Sequence, residues 1–116
     1  MSRYQHISIF QTSYKLVLEI YKTTKNFSKE YKYTLGERLK NISHEMLELI
    51  IKTNNLQNRE KLLGISKIDC KKEILRINLR IAFDLKLISR GKLGVLNQEI
   101  EEIGKQLGGW QKWIKK

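Results

Sequence analysis

The 116-residue chain carries 23 Lys and Arg against 12 Asp and Glu, a formal net charge of +11, with 41% hydrophobic and 30% charged residues. A chain of that length hides roughly two-thirds of its unfolded surface on folding, enough for one core, and the composition is globular rather than disordered. No run of about 18 apolar residues offers a membrane span, and the single Cys70 excludes an internal disulfide and any multi-cysteine zinc cluster.

Met1 to Phe10 mixes Arg3, Gln5 and His6 into every short apolar stretch, so no signal peptide is read and a reducing cytoplasm is the expected setting. The charge is unevenly placed. Residues 1–95 hold 19 Lys or Arg and 9 Asp or Glu, whereas residues 96–116 hold 4 and 3. A domain this basic attracts polyanions, because each neutralised phosphate releases condensed counterions, and nucleic acid is the commonest of them. Anionic membrane surface and acidic proteins stay open on charge alone.

Proline is absent, which removes the usual punctuation of helices and favours long ones. Ile7, Phe10, Tyr14, Val17 and Tyr21 repeat at helical spacing, widened by Leu16, Leu18 and Ile20, and predict a first helix. Residues 26–33 are polar and aperiodic and read as a connection. Thr34 and Glu37 match a capping box at the start of a second helix, whose stripe is Leu35, Leu39, Ile42, Met46 and Leu49 and whose end lies near Asn54 and Asn55.

A third helix is predicted from Asn58 to Ile88, with Gly64 as an early irregularity and Ile74, Ile77, Ile81, Leu85 and Ile88 as its core stripe. Leu75, Leu79, Ala82, Phe83 and Leu87 fall on its other sides, so the segment is apolar almost all round and needs two burial surfaces. One is the bundle core, and the other reads as a subunit interface through Leu75, Leu79, Phe83 and Leu87. Ser89, Arg90 and Gly91 break the pattern. Leu93, Leu96, Ile100, Ile103, Leu107, Trp110 and Ile114 then predict a fourth helix. With no linker or repeat to divide the chain, the expectation is an all-α protein in which residues 1–116 form one antiparallel four-helix bundle.

Nothing in the pattern points to catalysis. His6 and His44 lie in no metal-ligand spacing, and Cys70 with His44 is an arbitrary pair. Glu99, Glu101 and Glu102 beside Lys105 read as a solvated helix face. Gly104, Gly108 and Gly109 lack the strand and the Lys-Ser/Thr of a phosphate loop. The chain is therefore read as a non-enzyme with no metal, no cofactor and no small-molecule substrate.

The basic residues carry more. Lys72, Arg76 and Arg80 line one side of the third helix, and Arg90 returns near the same face. They fit a phosphate-binding ridge, a solvated face with Asp69 and Glu73 as salt partners, or an interface where guanidinium groups pair across subunits. Lys15, Lys22 and Lys25 share a side of the first helix, Lys29 and Lys32 extend the charge into the connection, and Arg38 and Lys40 add to it. Tyr31 and Tyr33 are the aromatic residues best placed to stack on bases.

Three segments, Tyr33-Thr34-Leu35-Gly36-Glu37, Ala82-Phe83-Asp84-Leu85-Lys86-Leu87-Ile88-Ser89 and Glu102-Ile103-Gly104-Lys105-Gln106-Leu107-Gly108-Gly109-Trp110, resemble in order and spacing the accessory variability determinant family of diversity-generating retroelements. The resemblance covers nearly the whole chain, and its ending is the most specific part. It implies a four-helix bundle assembled as a homopentameric barrel, binding RNA and DNA through basic surface, and binding the error-prone reverse transcriptase that copies template RNA into mutated cDNA. The chemistry belongs to that enzyme. Of the family's basic positions, Arg76 and Arg80 are carried over. Trp113 and the Lys115-Lys116 tail extend the usual ending, and Tyr31 stands where an acidic residue is common. Four-helix proteins encoded in intervening sequences of ribosomal RNA genes share the fold, which leaves a structural or assembly module as the alternative role. Lys72, Arg76, Arg80, Arg90, Arg38 and Lys40 are thus the expected nucleic-acid contacts, with no membrane partner.

Overall fold

A computed structural model describes residues 7–115, so Arg3, Gln5, His6 and Lys116 lie outside the described residues. Four long helices and one short one form it: α1 (Ser8–Thr24), α2 (Lys29–Lys32), α3 (Leu35–Asn54), α4 (Asn58–Asp84) and α5 (Arg90–Lys115). Short connections send each long helix back beside its predecessor. α3 lies between α1 and α4, and α5 closes the square by packing on α4 and α1, which leaves α1 diagonal to α4. The result is the expected antiparallel four-helix arrangement, 46 Å long and 21 Å across, built on one buried cluster to which all four long helices contribute.

Two helices use the stripes their spacing predicts. α3 buries Leu39, Ile42, Met46 and Ile50, and α5 buries Leu96, Ile100, Ile103 and Leu107, with Leu93, Trp110 and Ile114 packed at the edge. The other two are rotated. α1 turns Ile9, Ser13, Leu16 and Ile20 inward and leaves Tyr14, Leu18 and Tyr21 exposed. Its apolar surface covers more than half the circumference, so periodicity alone cannot choose the face; packing selects the aliphatic side and leaves the phenols where their hydroxyls meet water or a partner. α4 buries Ile65, Ile68, Leu75, Leu79 and Ala82, while Ile77, Ile81 and Leu85 point outward, Ile77 at 60% exposure. Of the stripe expected to line the core, Ile88 is buried and Ile74 partly so, but Ile77, Ile81 and Leu85 form the outer face, and Leu75, Leu79 and Ala82, expected at its back, are in the core.

The helix boundaries follow from local hydrogen bonds. The connection before α3 is not irregular throughout: Ser28 O accepts from the amides of Tyr31 and Lys32 at 2.9 Å, closing the single turn of α2, and Phe27 is buried beside it. That turn also prevents the capping box at Thr34. The Thr34 hydroxyl donates back to Glu30 O at 3.3 Å and Tyr31 O at 3.4 Å instead of serving α3, and the Glu37 carboxylate pairs with Lys40. Gly64 causes no irregularity; a Cβ there would fall 2.6 Å from Thr53 Cγ2, so the missing side chain lets α4 cross close to the end of α3.

α4 ends at Asp84 rather than at Ile88. Lys86 has φ 63°, and its amide bonds Phe83 O while the Leu87 amide bonds Ala82 O, both at 2.9 Å. This is a Schellman ending with lysine at the left-handed position that glycine usually occupies. No glycine or proline marks the stop, which is why periodicity runs through it. Ser89 is a cap rather than a break, since its Oγ accepts the Lys92 amide at 3.0 Å and Arg90 and Gly91 already belong to α5.

The seam between α1 and α5 is polar. Glu99 does not join Glu101 and Glu102 on the solvated face: its side chain is 12% exposed, 3.9 Å from Lys15, with Oε2 buried and without a partner. Burial raises its pKa above the usual 4.5, against the attraction of Lys15. Glu19 on the facing helix goes the other way, because the hydrogen bond from Lys92 and the charges of Lys92, Lys22 and Lys15 outweigh its burial.

Two outcomes are expected. Lys86→Gly removes the left-handed strain but adds unfolded-chain entropy, so it should stabilise the fold by about 0.5–1 kcal/mol in urea titration; a loss of stability contradicts the Schellman assignment. A carboxyl whose folded pKa is raised binds its proton more tightly in the native state, so its contribution to stability falls as pH rises above 4.5. Glu99→Gln should therefore melt higher than the parent chain at pH 7, with the gap closing toward pH 4.5; a variant that melts lower at pH 7 overturns the assignment.

Candidate nucleic-acid interface

The six cations expected to bind phosphate do not form one surface. On α4 each has a carboxylate of its own. Lys72 is only 11% exposed and lies against α5 with Nζ 2.8 Å from Asp69 and 3.3 Å from Glu73; the absent side chain of Gly104 leaves it room. Arg76 reaches Glu73 at 3.5 Å, and Arg80 hydrogen-bonds Asp84 at 3.1 Å while remaining 67% exposed. Arg90 stands at the start of α5 with its guanidinium 6.0 Å from the Phe83 ring centre. The acids recur at three- and four-residue spacing beside the bases, which neutralises much of the ridge at close range.

α3 separates the remaining two. Arg38 lines a groove with Cys70, Glu73, Ile74, Ile77, Asn78 and Ile81, against the outer face of α4. Lys40, two residues on and so on the other side of the helix, faces α1. There it meets the lysines of the first helix and of the connection after it. Lys22 and Lys25 from the end of α1, Lys32 from α2 and Lys40 from α3 surround a cavity of about 350 Å³, with Tyr21 and Thr24 completing its lining. The signal in the sequence was lysine density around residues 22–40; the missing information was the fold of α2, which returns Lys32 to the end of α1.

The wall of this corner is held in place. The Tyr21 hydroxyl and His44 Nε2 share a hydrogen bond of 2.8 Å, and the Lys40 ammonium sits 5.3 Å from the Tyr21 ring centre and 2.6 Å from the Glu37 carboxylate. Lys22 lies 4.0 Å from Glu19, whose carboxylate already accepts the Lys92 hydrogen bond at 3.0 Å. Lys25, Lys29 and Lys32 have no ion-pair partner among the described residues. Of the two stacking candidates, Tyr31 packs on the core and Tyr33 stays exposed next to Lys32.

The expected subunit interface requires correction. Leu75 and Leu79 are fully buried within the chain, and Phe83 and Leu87 are half-buried against its core. A second copy cannot reach the first two, because the bundle interior already occupies that face of α4. The exposed apolar surface in the second half of α4 is Ile77 and Ile81, continued by Leu85 just past its end, and Leu63 near its start is exposed as well. Cys70 is exposed at the edge of the same face. Among the described residues, no group of three or more His, Cys, Asp or Glu side chains is placed to hold a metal ion, and no helix is long and apolar enough to cross a membrane.

A family model described as bAvd-like matches residues 7–114 of the sequence. No curated protein matches it.

Proposed function

The chain belongs to the bAvd-like family, and from that premise we propose that it is a cytoplasmic, non-catalytic accessory protein of a diversity-generating retroelement. It binds the element's reverse transcriptase together with template RNA and cDNA, gripping phosphates without reading sequence. It brings enzyme and nucleic acid together for mutagenic copying and needs no cofactor or small-molecule substrate. The observation that carries this reading is the family match over nearly the full chain, supported by the net charge of +11. The unpaired lysines beside α2 add local weight, because cations without internal partners are the ones a phosphate backbone recruits at least cost.

Self-association as a ring, a pentamer by the family resemblance, is supported by the placement of apolar side chains. The outer face of α4 exposes Ile77, Ile81 and Leu85, and the outer face of the diagonal helix α1 exposes Tyr14 and Leu18. Two different apolar faces directed away from each other suit head-to-tail contact, in which each copy offers one face to the neighbour on either side. Such heterologous contacts close into rings when the rotation per copy permits.

Binding of a short single-stranded RNA should weaken steeply with salt, log K falling with log salt by about 0.7 for each phosphate contacted; salt-independent or absent binding refutes the nucleic-acid half. The reverse transcriptase encoded beside the gene should co-purify with the chain, and its failure to do so in the presence of RNA refutes the enzyme half. For the assembly, Ile77→Glu should reduce the mass measured by light scattering to that of a monomer while helical circular dichroism is kept. Leu79→Glu, which places a charge in the core, should instead unfold the chain. A parent chain that is monomeric at all concentrations contradicts the ring.

A further inference from the structure

We propose that the cavity where α1, α2 and α3 meet is a phosphate-binding pocket, in which Lys22, Lys25, Lys32 and Lys40 hold the oxygens of one phosphate group against Tyr21. The inference rests on the nucleic-acid reading only for the source of that phosphate. Lysine side chains from three separate helices, Lys22 and Lys25 at the end of α1, Lys32 of α2 and Lys40 of α3, line an open pocket of about 350 Å³ with Tyr21 and Thr24, and one of the four, Lys40, is paired with Glu37. Like charges converging on one cavity repel, and the repulsion is relieved when an anion enters.

The helix dipole accounts for part of the cluster only. Lys22 and Lys25 stand at the C-terminal end of α1, where cations are favoured. Lys32 belongs to a helix of one turn with little dipole, and Lys40 lies in the second turn of α3, where no helix dipole favours a cation. An internal ion pair with Glu37 accounts for Lys40, but none accounts for Lys25 or Lys32, which have no partner among the described residues. The site is also built in advance: the bond from Tyr21 to His44 fixes the wall, and Glu37 together with the Tyr21 ring positions Lys40. Lysine suits the task because its ammonium acts as a point charge and accepts any approach of a phosphate oxygen. On the α4 ridge Lys72, Arg76 and Arg80 are all committed to Asp69, Glu73 and Asp84, whereas here only Lys22 and Lys40 have a carboxylate partner.

The full-length chain is titrated with inorganic phosphate and followed by amide NMR, and its affinity for one short single-stranded RNA is measured with a 5′-phosphate and with a 5′-hydroxyl. Lys25→Gln/Lys32→Gln is compared with Arg76→Gln/Arg80→Gln, each checked for an unchanged melting curve. Phosphate should shift the amides of Tyr21, Lys25, Lys32 and Lys40 in the parent and not in the lysine variant. RNA affinity should fall about tenfold in the lysine variant, with a flatter salt slope, and by less in the arginine variant. Preference for the 5′-phosphorylated strand identifies a terminal phosphate as the occupant, and equal affinity identifies an internal one. Inorganic phosphate that moves no amides, or moves lysine amides evenly over the whole surface, overturns the pocket. So does a folded lysine variant that binds RNA as tightly as the parent, an outcome that leaves the nucleic-acid reading standing. A parent that binds inorganic phosphate in the pocket but no RNA refutes that reading and keeps the pocket.

Discussion

Leu75, Leu79 and Ala82 turn one face of α4 into the interior, and at about 100° per residue that single rotation assigns every other position on the helix. Ile77, Ile81 and Leu85 are sent outward, Lys72 is laid against Gly104 of α5, and Arg76 and Arg80 are left beside Glu73 and Asp84. Burying the opposite face would have been almost as favourable for α4 alone, since both faces carry large aliphatic side chains. The neighbouring helices decide, because α3 approaches closely at Gly64 and Lys72 finds room beside Gly104. The face left over, Ile77, Ile81 and Leu85, is apolar and exposed to water.

The charge follows the same rotation. Ion pairs at the surface contribute roughly 0–1 kcal/mol each to folding, so those along α4 matter little for stability. They matter for function, because they determine which cations remain to be neutralised by a partner. Along residues 69–84 of α4 Lys72, Arg76 and Arg80 pair with Asp69, Glu73 and Asp84 of the same helix. At the meeting point of α1, α2 and α3 the lysines outnumber their carboxylates and come from separate helices, and Lys25 and Lys32 keep no ion-pair partner among the described residues.

Three short devices make this geometry possible. The single turn of α2 lifts Lys32 toward the end of α1 and draws the Thr34 hydroxyl away from α3. Gly64 permits the close crossing of α3 and α4. The left-handed Lys86 stops α4 short, so that Ser89 can cap α5 and Lys92 can reach Glu19. Each is a local hydrogen-bond or steric effect of a few residues, and together they set where the charged side chains meet.

The residues alone determined the fold class, the number of long helices, the core stripes of α3 and α5, and the excess positive charge, because those depend on spacing and composition. The family resemblance is legible in three short segments of the sequence, and the bAvd-like match over residues 7–114 agrees with it. Tertiary packing alone decided which faces of α1 and α4 are buried, because both helices are apolar over too much of their circumference for periodicity to choose. It also decided that Glu99 leaves its acidic neighbours for the α1–α5 seam, and that the basic ridge of α4 is paired. Four lysines spread over residues 22–40 became one pocket for the same reason: a turn and two helix ends brought together positions whose spacing carries no common period.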